Sequence, residues 1–185
     1  PNYAFTYVIG YRHNLERLQN LRRVLDWING FAKVEVLLVE QDTHSKISHL
    51  DLKAKHIFTR SDMPYNRSWA FNVALKYANS NIIVFGDSDL IMEPNQFIAG
   101  LQAIQNYEMV SPYSSVVDLQ PNESDLPIET IFKINRPGRG ETDHQTVNIC
   151  GGITIFRKES IMRIGGWCEE FIGWGAEDDF QTIKV

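Results

Sequence analysis

Two acidic residues, Asp87 and Asp89, directly follow the segment Ile82–Gly86. Its four consecutive β-branched or aromatic residues predict a strand that is buried on both faces and ends at the glycine. In an open α/β sheet, ligands bind just beyond the carboxyl ends of the strands, where these two carboxylates would lie. A pair of carboxylates suits a hard divalent cation that shares its oxygen ligands with phosphates. The pattern is short, and an acidic turn at a strand end explains it equally well.

A second acidic group, Glu177, Asp178 and Asp179, follows a segment rich in aromatic residues and glycine that contains Trp174. The glycines on both sides of Trp174 permit a tight, open turn. An exposed aromatic ring beside carboxylates suits a sugar, whose apolar face packs on the ring while its hydroxyls donate to the acids. Crowding of carboxylates also raises the pKa of at least one of them, as a general base requires. The opposing interpretation is that acids at a helix start merely interact with the helix dipole.

The elements that must position these residues alternate between strands and helices. Strands are predicted at 3–9, 34–39, 56–59, 82–86, 109–113 and 153–156. Helices are predicted to begin after Asn14, after Asn66 or Ser68, and at Pro94 and Lys158, and the last acidic group starts another. This order predicts a mostly parallel sheet with helices on its faces. Residues 114–148 are polar and contain prolines, so we expect a long, partly mobile loop excursion there. It contains a strand-like stretch at 130–134. Long loops of this kind often cover functional sites, so this loop is a candidate lid.

Composition limits the possible classes of function. The chain has 185 residues, 43% of them hydrophobic and 22% charged, and a net charge of −5. These values predict a single globular domain with its own core. A negative chain with scattered Lys and Arg lacks the electrostatic pattern of a nucleic-acid-binding protein. No apolar run reaches the roughly 20 residues of a transmembrane helix.

Four segments together resemble the β-1,4-galactosyltransferases, which belong to the inverting GT-A glycosyltransferases, as do the chondroitin-polymerase-like enzymes of family 2. In chain order they are Tyr65-Asn66-Arg67 with Asn72, Val84–Ile91, Gly151-Gly152 and Gly173–Asp179. The likeness is to a bacterial-type relative and runs from Gly10 to the end of the chain. It implies an α/β GT-A (Rossmann-like) fold, with a mostly parallel sheet flanked by helices in one domain spanning 1–185.

The resemblance also implies an activity. Enzymes of this group are metal-dependent and move a sugar, here Gal-, GalNAc- or GlcNAc-like, from a UDP-sugar donor to a hydroxyl of a glycan acceptor with inversion. The implied metal is Mn²⁺ or Mg²⁺. The implied location is the cytoplasm or the inner face of the membrane, with no transmembrane segment in this chain and no nucleic-acid partner.

Each site residue takes a role from the resemblance. The donor nucleotide-sugar would be contacted by residues at strand ends and helix starts: Arg12, Glu40, Asp42, Tyr65, Arg67, Asp87 and Gly152. Asp89 would bind the metal directly, and Asp87 would face the metal or the ribose. Three further residues would hold the acceptor: Trp174, Glu177 and Asp179. Asp178 would be the catalytic base.

The chain departs from the family pattern at three points. The family has a second Arg close after Arg12, where this chain has Asn14, and Ala176 stands in place of a glycine. The family's additional metal ligand is a His downstream of the acidic group, whereas all five histidines of this chain precede that group. We therefore expect a C-terminal segment beyond Val185 to complete the domain and its metal site.

Two other functions fit parts of the pattern. A nucleotidyltransferase also uses acidic metal ligands on a Rossmann-like sheet, but it needs a glycine-rich phosphate loop after the first strand. The segment Gly10–Asn14 offers a single glycine. A non-catalytic module of a larger synthase, which binds nucleotide-sugar or glycan without turnover, is compatible with every motif above.

Overall fold

The computed structural model describes residues 2–139, 151–173 and 177–184. Its strands are β1 (Phe5–Tyr11), β2 (Val34–Asp42), β3 (Lys55–Arg60), β4 (Ile82–Gly86), β5 (Met109–Val110) and β6 (Ile153–Arg157). Its helices are α1 (Leu15–Ile28), α2 (Arg67–Leu75), α3 (Pro94–Ala103), α4 (Ile128–Ile131), α5 (Lys158–Arg163) and α6 (Glu177–Lys184). Within these residues the strands form one six-stranded sheet in the order β3-β2-β1-β4-β6-β5.

The sheet is mostly parallel, as the sequence predicted. Strands β1, β2, β3 and β4 are parallel to one another, and β6 is antiparallel to both β4 and β5. Ile9 of β1 and Ile153 of β6 both pair with Gly86 of β4. The carboxyl ends of the parallel strands and the start of β6 therefore lie at one edge of the sheet, where Asp87 and Gly152 emerge.

Helices cover both faces of the sheet. The first core cluster joins α1 and α3 to strand residues such as Tyr7 and Val84, and the second joins α2 and α5 to Val8 and Phe85. Because adjacent residues of β1 and β4 are buried in opposite clusters, these strands are buried on both faces, which explains their continuous apolar runs. Apolar residues recur at helical spacing along α1, and the first of them, Leu15, is an exception to their burial, since it is 78% exposed.

Two asparagine side chains cap the starts of the helices that flank the edge of the sheet where Asp87 and Gly152 emerge. The Asn14 side chain accepts a hydrogen bond of 2.6 Å from the backbone N–H of Arg17, and the Asn66 side chain accepts one of 2.8 Å from that of Trp69. Both bonds satisfy a backbone donor that would otherwise be unpaired at the helix start. The cap of α2 is therefore Asn66 and not Ser68, which makes Arg67 the first residue of that helix.

Two predicted strands differ in the structure. The prediction of a strand-like stretch at 130–134 is wrong, because these residues lie in and after the helical turn α4. Ile128 and Phe132 pack against the core, and Ile131 between them is buried. The N–H groups of Ile131 and Phe132 donate to carbonyls four residues earlier, as in a helix. The predicted strand 109–113 is shorter, since β5 ends at Val110, two residues before Pro112, which has no N–H to donate.

A buried carboxylate ties the opposite edge of the sheet together. Glu35 of β2 is 6% exposed and accepts hydrogen bonds from the Thr6 hydroxyl at 2.6 Å, the Asn79 backbone N–H at 2.8 Å and the Asn79 side-chain amide. Burial alone would raise the pKa of Glu35, but these hydrogen bonds outweigh it and lower the pKa. The ionised carboxylate thus joins β1, β2 and the turn before β4.

Replacing Glu35 by Gln is expected to lower the free energy of unfolding at pH 7 by about 1–3 kcal/mol, because an amide cannot accept all three bonds. A lowered folded-state pKa stabilises the fold above the unfolded value of about 4.3, and this contribution is lost as pH falls through the folded pKa. The difference between wild type and variant should therefore shrink at pH 3. Urea unfolding at both pH values measures it, with the exposed Glu129→Gln as the control. Equal stabilities of Glu35→Gln and wild type at pH 7 would contradict the assignment.

Candidate active site

Arg67 is the centre of the site and joins the two acidic segments. Its side chain is 11% exposed. Its Nη2 lies 2.8 Å from Oδ1 of Asp87, and its Nη1 lies 2.9 Å from Oδ1 of Asp178 and 3.6 Å from Oε1 of Glu177. One guanidinium therefore holds the carboxylate after β4 and the carboxylates that begin α6 beside each other.

Aromatic rings and an amide hold this guanidinium in place. The Arg67 guanidinium carbon lies 4.8 Å from the ring centre of Phe71 and 5.8 Å from that of Trp167, in cation–π geometry. The Asn72 side chain fixes the backbone of Trp167 by accepting from its backbone N–H at 2.9 Å and donating to its carbonyl at 2.8 Å. Burial would lower the pKa of Arg67, but Asp87 and Asp178 more than offset this and raise it. The group is a permanent cation at this position.

Asp87 is fixed on both of its carboxylate oxygens. Oδ1 pairs with Arg67, and Oδ2 accepts the backbone N–H of Gly152 at 3.1 Å. The backbone N–H of Asp87 in turn donates to the Gly152 carbonyl at 3.2 Å. The exit of β4 and the entrance to β6 are therefore locked together, and Asp87 has a defined orientation.

Gly151 and Gly152 allow the elements to approach one another. Their φ angles are +80° and +72°, in the left-handed region that glycine adopts readily. A Cβ on Gly152 would lie 2.3 Å from the Tyr113 hydroxyl, which donates to the Gly151 carbonyl, and a Cβ on Gly151 would lie 3.0 Å from Oδ2 of Asp178. Side chains here would push Tyr113 and α6 away from the strand edge.

The three acids at the start of α6 lie in different environments. Glu177 is buried, Asp178 is half-buried and Asp179 is exposed, as expected from the step of about 100° per residue around a helix. Burial raises the pKa of Asp178, and repulsion from Glu177 and Asp87 adds to this, while Arg67 opposes it. The carboxylate of Asp178 therefore binds a proton more readily than an ordinary aspartate, which is a useful property in a general base.

Asp89 differs from its neighbour because no ion pair engages it among the described residues. It is exposed at the end of the strand, although its carboxyl group is partly desolvated, and its pKa is raised by that desolvation and then by repulsion from Asp87. Arg17 in the first turn of α1, a residue that the sequence analysis did not single out, opposes this shift.

The two acids fit a divalent cation only in combination with other oxygen ligands. In the described ranges no group of three His, Cys, Asp or Glu side chains could hold a metal ion. A cation bound by Asp89, with Asp87 beside it, would relieve the repulsion between the two carboxylates that helps to raise the pKa of Asp89. Mg²⁺ and similar ions are commonly bound by one or two carboxylates together with water and substrate phosphates. The pair therefore fits a cation that arrives with a phosphorylated ligand.

Glu40, predicted to contact the nucleotide, is engaged elsewhere. It is fully buried, and its carboxylate accepts from the Ser45 hydroxyl at 2.6 Å and the Lys46 backbone N–H at 2.7 Å, and lies 2.9 Å from Nε2 of His56. It shapes the loop after β2 and connects that loop to β3. A nucleotide-binding role for Glu40 stays a prediction.

Three other predicted residues line the same edge with partners of their own. Asp42 accepts from the Thr43 N–H at 2.8 Å, and Nη1 of Arg12 donates to the Met63 carbonyl at 2.7 Å. The Tyr65 hydroxyl lies against Gly10, where a Cβ would be only 2.2 Å from it. Trp174, predicted to hold the acceptor, lies outside the described residues.

Gln41 is a supporting residue that the sequence analysis missed. It is 1% exposed, its Oε1 accepts from the Asn66 backbone N–H at 2.7 Å, and its Nε2 donates to the Asn66 carbonyl at 3.4 Å. It therefore holds the start of α2, and with it Arg67, against the end of β2. The available signal was an amide in a buried strand, which must find hydrogen-bond partners.

Comparisons with known proteins bear on this edge. Residues 141–184, which include the acidic group of α6, match a family model described as the N-terminal domain of galactosyltransferase. No curated protein matches the sequence. None of the helices in the described ranges is long and apolar enough to cross a membrane.

Solved structures match nearly the whole chain. A complex of Drosophila β-1,4-galactosyltransferase 7 with manganese, UDP-Gal and xylobiose is 16% identical, with a TM-score of 0.58, over 98% of this chain and 60% of that one. A mannosyltransferase from Pyrobaculum calidifontis, in complex with GDP-Man and Mn²⁺, is 18% identical, with a TM-score of 0.58, over 98% and 51%. GalNAc-T7 with UDP, GalNAc and Mn²⁺ is 13% identical, with a TM-score of 0.62, over 97% and 39%.

The chain thus spans 60% of the length of the Drosophila enzyme and less of the other two. At these identities the likeness is one of fold. The chain has the GT-A fold of glycosyltransferases, with its acidic segments at the carboxyl edge of the mostly parallel sheet.

Proposed function

We propose that the protein is a metal-dependent inverting glycosyltransferase that moves a Gal-, GalNAc- or GlcNAc-like sugar from a UDP-sugar to a hydroxyl of a glycan acceptor. The observation that carries this proposal is the Arg67 bridge, which sets a strand-end carboxylate suited to a metal beside a half-buried acid suited to a base. Solved neighbours that contain Mn²⁺ with UDP-Gal or UDP support the choice of donor.

On the donor side, Asp89 is in no ion pair among the described residues and would bind the cation, and Asp87 stands beside it in a fixed orientation. When bound, Mn²⁺ or Mg²⁺ would neutralise the charge that develops on the departing diphosphate. Arg12, Tyr65 and the end of β2 at Asp42 border the same edge and would enclose the nucleotide.

On the acceptor side, Asp178 takes the proton of the attacking hydroxyl. The hydroxyl oxygen forms a bond to the anomeric carbon on the face opposite the diphosphate. The bond from that carbon to the diphosphate oxygen breaks, and its electron pair leaves with the nucleotide. This single displacement inverts the configuration. Glu177, Asp179 and Trp174 would hold the acceptor around this point.

One observation favours the alternative of a non-catalytic binding module. Asp178 is already paired with Arg67 at 2.9 Å, and a carboxylate held by a guanidinium is a weaker base. Burial and the neighbouring acids offset this pairing, since the net direction of the Asp178 pKa is upward.

The two functions are separated by titrating a panel of UDP-sugars into the protein with and without Mn²⁺, followed by assays of sugar transfer and donor hydrolysis. Metal-dependent binding with turnover supports the transferase. Binding without turnover of any donor supports the module, and absence of UDP binding contradicts both the transferase and a module that binds a nucleotide-sugar.

Replacing Asp89 by Asn is expected to abolish the Mn²⁺-dependent part of UDP binding, because the unpaired carboxylate is the one available to the cation. Isothermal titration calorimetry measures the affinity with and without Mn²⁺. The exposed Asp26→Asn of α1 is a matched control that removes the same charge from a remote surface. Unchanged metal-dependent affinity in Asp89→Asn would remove this residue from the metal site.

A further inference from the structure

An exposed ion pair lies at the border of the site. Arg139 and Asp118 are 72% and 64% exposed, and Nε of Arg139 donates to both carboxylate oxygens of Asp118, at 2.8 and 3.1 Å. The backbones of Val116 and Arg139 pair as an antiparallel bridge with hydrogen bonds of 3.0 and 2.8 Å. The backbone of Arg139 is therefore held by the bridge, while its side chain is held by an exposed ion pair.

This bridge is connected to the centre of the site through Tyr113. Tyr113 is three residues before Val116, and its hydroxyl donates to Gly151 and lies against Gly152, whose N–H holds Asp87. The pKa of Arg139 is raised first by Asp118 and more weakly by Asp89 and Tyr113. The guanidinium thus lies within electrostatic reach of the carboxylate proposed to bind the metal.

The chemistry of the pair suits exchange of the carboxylate for a phosphate. An exposed ion pair contributes only about 0–1 kcal/mol, so little free energy holds Arg139 on Asp118. The pair uses Nε, and no hydrogen-bond partner of either terminal nitrogen is found among the described residues. Those nitrogens carry donors in the fork geometry that binds phosphate through two hydrogen bonds.

Two other arginines at this edge, Arg67 and Arg12, already have partners in the structure. Arg67 is 11% exposed and already neutralises Asp87 and Asp178. Arg12 donates to the Met63 carbonyl. A nucleoside diphosphate that enters beside Asp87 and Asp89 also needs positive charge beyond a single divalent cation, and Arg139 can supply it from the solvent side.

We propose that Arg139 binds the diphosphate of the donor by exchanging Asp118 for a phosphate oxygen, and that Asp118 holds the guanidinium at the border of the site before the donor binds. The ligand class is a nucleoside diphosphate or pyrophosphate. The identification of that ligand as the donor's diphosphate rests on the proposed function. The carboxylate of Asp118 and the phosphate compete for the same guanidinium, so removal of the carboxylate should favour binding.

The test measures the affinities of UDP and of inorganic pyrophosphate, each with Mn²⁺, by calorimetry. Arg139→Ala should weaken both by about 10-fold or more, as expected for loss of hydrogen bonds to a charged group. Arg139→Lys should keep part of the affinity. Asp118→Asn should tighten binding, and it should have no effect when combined with Arg139→Ala. The matched control is Arg163→Ala, which breaks an exposed ion pair with Glu108 and should leave both affinities unchanged.

The outcomes separate this inference from the proposed function. Wild-type affinity in Arg139→Ala overturns the inference, while metal-dependent transfer from a UDP-sugar would leave the proposed function standing. Pyrophosphate binding that depends on Arg139, without turnover of any UDP-sugar, supports the inference and contradicts the transferase. Weaker binding in Asp118→Asn overturns the exchange, since Asp118 would then position the arginine instead of competing for it.

Discussion

Replacement of Asp178 by Asn is expected to lower kcat by about 10²–10⁴-fold, the usual effect of removing a general base. The affinity for the UDP-sugar should stay close to wild type, because among the described residues the ion pair that links Asp178 to the donor side is the one with Arg67. Steady-state kinetics with saturating acceptor and calorimetry with UDP measure the two effects separately. The raised pKa of Asp178 also predicts that kcat of the wild type falls as pH drops through that value, since the base must be unprotonated.

Asp179→Asn is the matched comparison, because it removes the same charge from the same helix turn at an exposed position. It should raise the KM for the acceptor and leave kcat nearly unchanged. Glu177→Gln should likewise act mainly on the acceptor. Near-normal kcat in Asp178→Asn would show that the base lies elsewhere and that the acidic group serves the helix start.

The second large effect is expected for Arg67→Met, which removes the cation shared by Asp87, Asp178 and Glu177. Breaking a buried ion pair by deleting one partner leaves uncompensated charge, and the free energy of unfolding should fall by about 3–5 kcal/mol. UDP binding should be lost as well, since Asp87 loses its fixed orientation. Urea unfolding at pH 7 measures the stability. Arg163→Ala, at an exposed pair, should change it by less than about 1 kcal/mol.

The loss in Arg67→Met should depend on pH in a defined direction. Without the guanidinium, the folded-state pKa of Asp178 rises further, so the folded variant binds more protons than its unfolded state. Its stability should therefore increase, relative to wild type, as pH falls through that pKa. The double variant Arg67→Met with Asp178→Asn should recover part of the stability at pH 7. A loss no larger than that of Arg163→Ala would contradict a central role for Arg67.

The order of strands and helices was predictable from the sequence because its signals are local. The apolar run before Asp87, the caps at Asn14 and Asn66 and the glycines before β6 each act within a few residues, and the structure confirms the elements they predict. At 130–134 the local signal is ambiguous, and the prediction failed there. The isoleucines and the phenylalanine there satisfy a helical as well as a strand pattern, and packing against the core selects the helical turn.

The sequence by itself also predicted the structural positions of both acidic segments, one after a buried strand and one at a helix start. Only the tertiary structure decided their partners. Arg67 and Asp178 are 111 positions apart, and Gly152 and Asp87 are 65 apart, so no local pattern encodes those contacts. The same applies to Glu40, whose type and position suited a ligand while the fold surrounds it with Ser45, Lys46 and His56. A carboxylate is directed by whichever donors the chain brings within about 3 Å of it, and the packing of whole elements determines which donors those are.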